Sequence, residues 1–144
     1  MEKAARYIYL VAVCLFIVGV TVQVYLAGMV VVANRMVWES HISLGHMLAG
    51  PLLIMLVSQY PGRMPGPLKR LTWLLFAVYV LQADVIIFLR RAAPEVSALH
   101  PVLALVDYAL ALALARRAWS LVGQRQAAAP AVPDLGTTRT PLQG

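Results

Sequence analysis

Three histidines are the residues of this chain whose type and position could do chemistry. His41, His46 and His100 each lie close to the start of a long apolar segment. An imidazole can bind a metal ion through one ring nitrogen, and it can also carry a proton. Titratable side chains are costly inside a membrane, so their presence in apolar segments points to a function. The three histidines are therefore the first candidates for a binding site.

The segments that carry these histidines have the length and composition of membrane-spanning helices. Of the 144 residues, 61% are hydrophobic and 12% are charged, and the mean hydropathy is +0.77. A spanning helix needs about 20 predominantly apolar residues. Four segments meet this requirement: residues 7–33, 42–60, 70–90 and 96–117. We predict an all-α integral membrane four-helix bundle over residues 1–120, with up-down-up-down connections. No internal repeat is evident.

The basic residues are distributed unevenly between the two ends of the predicted helices. With four spans, the N-terminus, the second loop and the C-terminal region share one side, and they hold nine of the twelve Lys and Arg residues. The positive-inside rule then predicts a multi-pass protein of the cytoplasmic (inner) membrane, with both termini in the cytoplasm. This also accounts for the net charge of +6 without a nucleic-acid partner. Residues 121–144 are rich in Ala, Pro, Thr and Gly and are predicted to be a disordered cytoplasmic tail.

In this orientation, polar side chains from different helices fall at the same outer level. At 1.5 Å per residue, they lie within about 10 Å of the outer boundary of the hydrocarbon. This outer set consists of His46, Gln82, Asp84 and His100, with Gln23 in the outer part of the first helix. Asp107 lies deeper and has no basic residue near it in sequence. We take Asp84 and Asp107 as candidate proton-carrying or ion-pairing groups.

The spacing of the histidines limits which of them can bind one ligand together. His41 and His46 are five residues apart, which is about 140° around a helix. A straight helix therefore cannot easily direct both at one metal. The deeper His46 is favoured as the partner of His100, with His41 as an alternative ligand, a supporting group or an interfacial residue.

Short motifs around these residues resemble those of small bacterial four-helix membrane proteins of uncharacterised function. More distantly, the chain is similar to the four-helix halves of haem A synthase and to other membrane b-type cytochromes. The resemblance implies a haem b held without covalent linkage between histidines on alternate helices. The acidic and Arg-rich outer loops expected of the synthase are missing, so the resemblance does not extend to that enzyme activity. The matching residues are Gln23, Trp38, His41, Gln82 and His100.

Three functions follow from these observations. The first is electron transfer by a b-type haem near the outer face, with His46 (or His41) and His100 as axial ligands and a quinone or redox protein as partner. The second is a zinc, copper or proton site in a small transporter or sensor, built from the histidines with Asp84 or Glu39. The third is a cofactor-free subunit of a larger membrane complex. The chain has no motif for phosphate binding or nucleophilic catalysis, so no catalytic residue is predicted.

Overall fold

The computed structural model describes residues 1–127, with side chains for residues 1–123. Within residues 1–127 the chain is helical and contains no β-strand. Four long helices follow one another, and each is long and apolar enough to cross a membrane. In chain order they are helix 1 (Glu2–Val31), helix 2 (Trp38–Ser58), helix 3 (Gly66–Arg91) and helix 4 (Pro94–Gly123). The predicted all-α class with four membrane-length helices is confirmed.

Helix 4 extends further toward the C-terminus than the hydropathy pattern predicts. It begins with one turn at Pro94–Ser97 and continues as a regular α-helix over His100–Ala127. Residues 121–127, which were predicted to belong to the tail, are therefore helical. Their Ala and Gln residues are good helix formers, so the α-helix continues beyond the apolar segment. Residues 128–144, the rest of the predicted tail, lie outside the described residues.

Two helices contain irregular segments close to the candidate residues. Helix 2 is interrupted at Leu48, between α-helical segments Trp38–Met47 and Ala49–Ser58. Pro51 has no amide hydrogen to donate to the carbonyl four residues earlier, which weakens the helix at this level. Helix 3 contains a π-helical segment, Leu81–Val85. Both irregularities lie next to polar residues that the sequence singled out.

The helices pack around a continuous apolar core. Helix 1 contacts helices 2 and 4, and helix 3 packs mainly on helix 4. Large apolar side chains also lie on the outside of the described structure, with more than half of their surface accessible. Among the fully buried core side chains are Tyr9, Val13, Phe16, Leu52, Met55, Leu75 and Leu114. Among the exposed ones are Val18, Val24, Val57 and Leu105.

Hydrogen bonds tie the helices together at the end opposite the histidines. The Arg6 Nε atom donates to the carbonyl of Gly62 over 2.8 Å. The Thr72 hydroxyl donates to the Leu68 carbonyl, so the Tyr9 hydroxyl is the donor in its 2.6 Å bond to Thr72. These bonds bring the start of helix 1 to the end of helix 2 and to the start of helix 3.

Candidate functional site

His41 is held at the start of helix 2 by the backbone of helix 1. Its Nδ1 atom lies 3.2 Å from the carbonyl oxygen of Gln23, and the Gln23 side-chain amide donates to the His41 carbonyl over 2.9 Å. A carbonyl oxygen can only accept, so Nδ1 is the protonated nitrogen of the His41 ring. In a neutral imidazole the other nitrogen, Nε2, then carries a free lone pair. The contact with Gln23 therefore leaves Nε2 as the nitrogen available to a ligand.

His100 is held in the same way at the start of the regular part of helix 4. Its Nδ1 atom lies 3.1 Å from the carbonyl oxygen of Gln82 on helix 3. The π-helical segment of helix 3 explains why this carbonyl is available. The amide of Ile86, which would bond to Gln82 in an α-helix, bonds to Leu81 instead. Such π segments are frequent at functional sites.

The two anchored imidazoles lie against each other. The ring centroids of His41 and His100 are 6.3 Å apart, and the rings meet edge to face at 67°. Two imidazoles that bind one metal from opposite sides, each with a metal–nitrogen bond of about 2 Å, would have their centroids roughly 6 Å apart. The Trp38 ring stacks on His41 with centroids 4.9 Å apart and planes within 2°. This His41–His100 pair, supported by both glutamines, is the candidate site.

Gly45 lets the Gln23 side chain reach His41. A Cβ atom at position 45 would lie 2.7 Å from the Nε2 atom of Gln23, which is too close for any real contact. The carbonyl of Gly45 also accepts a 2.6 Å hydrogen bond from the Tyr79 hydroxyl of helix 3. Gly45 thus joins helices 1, 2 and 3 immediately beneath the histidine pair. Neither Gly45 nor Tyr79 was predicted as a site residue.

The two halves of the site reflect an internal repeat. Each histidine follows its glutamine by 18 residues, and Gln82 and His100 lie 59 residues after Gln23 and His41. The same offset relates buried core positions of helices 1 and 2 to buried positions of helices 3 and 4. These pairs include Tyr9 and Leu68, Val13 and Thr72, Phe16 and Leu75, Val20 and Tyr79, Leu52 and Ala111, and Met55 and Leu114. The chain is therefore built from two similar helix pairs, and the histidine contact joins equivalent positions of the two.

Asp107 lies in the interior near the second half of the site. Its side chain is fully buried, and it interacts with the side chain of Gln82. Neither carboxyl oxygen, however, has a partner in hydrogen-bond geometry, and the same holds for the buried Oε1 atoms of Gln82 and Gln23. The side chains of Asp107 and Gln82 are thus close together without forming a hydrogen bond of normal geometry. The site contains buried acceptor atoms that still need a donor.

Two predicted site residues lie apart from the histidine pair. His46 is exposed, and its Nδ1 atom bonds to the carbonyl of Ile42 in its own helix. Asp84 is also exposed, whereas Gln82 on the same helix is buried. The preference for His46 as partner of His100 thus differs from the structure, where His41 lies against His100. Within the part of the chain that the structure describes, no group of three His, Cys, Asp or Glu side chains is arranged to hold a metal ion.

Part of the chain is similar to a known protein family. No curated protein and no solved structure matches the chain. The similar segment covers less than half of the chain, and it includes Gln23, His41, Gly45 and Gln82 but ends before His100. Residues 23–87 are similar to a family described as a family of unknown function (DUF6220).

Proposed function

We propose that this chain is an integral membrane protein that binds b-type haem between His41 and His100 and transfers electrons. The four helices would cross the cytoplasmic membrane up-down-up-down, with both termini in the cytoplasm and the histidines near the outer face. Large apolar side chains exposed on all four helices support a lipid surrounding, because soluble proteins rarely expose so much apolar surface. The uneven distribution of basic residues supports the orientation.

The observation that carries the haem proposal is the pair of anchored imidazoles. Both rings have Nδ1 bonded to a backbone carbonyl, which leaves both Nε2 atoms free as ligands. Second-shell bonds of this kind orient metal-binding histidines and raise their basicity. The rings of His41 and His100, whose centroids are 6.3 Å apart, lie close enough together that both could hold one iron. The donor set therefore fits a bis-histidine haem.

The chemistry of such a site follows from its ligands. When bound, haem b would supply a one-electron carrier, which His41 and His100 would hold. The chain itself would hold the ligands: Gln23 and Gln82 fix the tautomer of each ring through their carbonyls. Trp38 covers His41 on the side away from the core and is 47% exposed. A quinone or redox protein is the expected exchange partner at this outer surface.

The test is the absorption spectrum of the purified protein, oxidised and reduced, with three histidine variants. We expect a haem Soret band in the wild type that is lost or strongly shifted in His41→Ala and in His100→Ala. His46→Ala is the matched control, because His46 is exposed and bonds only within its own helix. Its spectrum should equal that of the wild type. Circular dichroism shows whether each variant keeps its helices.

Two outcomes would overturn the haem proposal. A colourless protein, even after expression with added haem, would exclude a cytochrome. Stoichiometric zinc or copper that is lost in His41→Ala and His100→Ala would instead identify a non-haem metal site. If His46→Ala lost the haem and His41→Ala kept it, haem would be bound by the other histidine of helix 2.

A further inference from the structure

The buried carboxyl group of Asp107 has no role in the ligation of haem by the two histidines. Its exposure is 0%, and that of Gln82 beside it is 8%. If Asp107 were ionised, its two oxygens and the Oε1 atom of Gln82 would all be acceptors without donors. Buried polar atoms without a hydrogen-bond partner destabilise a fold, and an unpaired buried charge does so more strongly.

Among the residues whose side chains are described, no cation pairs with Asp107. Helices 1 and 3 pack against helix 4. Helix 1 has no charged residue between Arg6 and Arg35, and its Cys14 and Tyr25 are exposed. The ion pair between Arg6 and Glu2 lies at the far end of helix 1. Helix 1 therefore offers Asp107 no positive partner.

The cations of helix 3 lie at its two ends, and neither oxygen of Asp107 bonds to any of them; they are Lys69, Arg70, Arg90 and Arg91. The other titratable groups of helix 3 on this side are Tyr79, whose hydroxyl hydrogen is already donated to the Gly45 carbonyl, and Asp84, which is exposed and acidic. On helix 4 itself, the nearest titratable groups are Tyr108 and His100, and the Nδ1 hydrogen of His100 is used by Gln82. A proton on Asp107 is therefore the simplest donor. It turns one carboxyl oxygen into an O–H group that the free Oε1 atom of Gln82 can accept.

The internal repeat shows that a buried carboxyl group at this position belongs to the second helix pair only. The position equivalent to Asp107 in the first helix pair is Leu48, which is 6% exposed and apolar. Proteins keep buried carboxylic acids neutral in apolar surroundings where the acid donates a hydrogen bond. Gln82 holds His100 through its carbonyl and its side chain contacts Asp107, so a charge change on Asp107 would act beside the residue that supports His100.

We propose that Asp107 and Gln82 form a buried proton-binding site that is linked to His100. One proton sits on an Asp107 oxygen and is shared with the Oε1 atom of Gln82; when it leaves, it goes to water and no bond between heavy atoms changes. The remaining negative charge would favour the oxidised form of a haem bound at His100. This last effect rests on the proposed haem binding, whereas the protonation of Asp107 does not.

Infrared spectroscopy tests the proton without any cofactor. A protonated carboxylic acid gives a C=O band apart from those of carboxylates and amides. We expect this band in the wild type at neutral pH, its loss in Asp107→Asn, and a shift in Gln82→Leu. Asp84→Asn is the matched control, because it removes the exposed aspartate of helix 3 and should leave the band unchanged. If Asp107→Asn did not fold, Asp107→Leu would restore the residue type found at position 48.

The outcomes separate the two proposals. A wild type without the band would mean that Asp107 is a carboxylate that accepts from the Gln82 amide nitrogen, and the proton site would be overturned whatever the haem content. With haem bound, the reduction potential should fall with rising pH as Asp107 loses its proton. This fall should vanish in Asp107→Asn and persist in Asp84→Asn. Equal pH profiles in wild type and Asp107→Asn would overturn the link to His100.

Discussion

The first helix pair holds its histidine with two hydrogen bonds, and the second holds its histidine with one. Gln23 accepts from the His41 ring and also donates to the His41 backbone, whereas Gln82 accepts from His100 and directs its side chain to Asp107. The same spacing of glutamine and histidine thus supports a reciprocal pair of hydrogen bonds in the first half and a single hydrogen bond in the second. The second half has instead a buried carboxyl group, Asp107, beside its glutamine.

The backbone of the two halves differs at the same level. Helix 1 is a continuous α-helix through Gln23, whereas helix 3 becomes π-helical at Leu81–Val85. The stacking of Trp38 on His41 has no equivalent in the second half, where Ser97 stands 59 residues after Trp38 and bonds to the Ile86 carbonyl. Equivalent cores can therefore carry unlike surroundings for two imidazoles. Substitutions in the equivalent core, at Gly45 and at Trp38 can therefore separate what the two halves share from what distinguishes them.

The shared core should give the largest effect. Phe16 and Leu75 are equivalent and fully buried, and Phe16 also meets Tyr79 edge to face at 6.1 Å. We expect Phe16→Ala to lower the free energy of unfolding by about 3–5 kcal/mol and Leu75→Ala by about 2–5 kcal/mol, because each leaves a cavity. Unfolding in detergent, followed by circular dichroism, measures both. Leu15→Ala is the control, because Leu15 is exposed next to Phe16, and its effect should stay within about 0.5 kcal/mol.

A clear difference between Phe16→Ala and Leu75→Ala beyond that of their side-chain volumes would contradict an equivalent core. The repeat would then concern the histidine contacts alone.

The contact that distinguishes the first half should give an intermediate effect. Gly45→Ala would place a methyl group against the Gln23 amide and force that side chain away from His41. Because the end of the Gln23 side chain can move aside, the main cost is its hydrogen bond to the His41 carbonyl, and we expect a loss of about 0.5–1.5 kcal/mol in stability, together with weaker ligand binding at His41. Gly50→Ala is the matched control on the same helix, because a Cβ atom at position 50 meets nothing within 4 Å. Equal behaviour of the two variants in thermal unfolding would show that the approach of Gln23 to Gly45 is unimportant.

The sequence predicts much of this fold and part of the site. Hydropathy alone predicts four helices, because the spans must be long and apolar, and helical rise puts Gln23, Gln82 and His100 at one level. The sequence does not predict that His41, rather than the deeper His46, lies against His100. That choice depends on the rotation of helix 2 about its axis, which is set by the packing of Gly45 against Gln23 and Tyr79.

Other features are beyond a single sequence for different physical reasons. The repeat is not evident because equivalent core positions share burial and not residue type, as with Leu52 and Ala111. The π-helical turn at Gln82 arises from tertiary contacts, since nothing in Leu81–Val85 disfavours an α-helix. Asp107 was noted as lacking a basic partner, but its neighbour Gln82 is visible only once helices 3 and 4 are packed.

The stacking of Trp38 on His41 should give the smallest effect. An aromatic pair contributes about 0.5–1.5 kcal/mol beyond its buried area, and 1.4 kcal/mol corresponds to a tenfold change in an equilibrium constant. We therefore expect Trp38→Leu to weaken haem binding by a few-fold while the protein keeps its fold and its Soret band, measured by haem titration of the apoprotein. Trp73→Leu is the matched control, because Trp73 is exposed to the same degree and meets Phe76 and no histidine. If both variants bound haem like the wild type, the hydrogen bonds with Gln23 alone would hold His41, and the halves would differ in their glutamines and in Asp107 only.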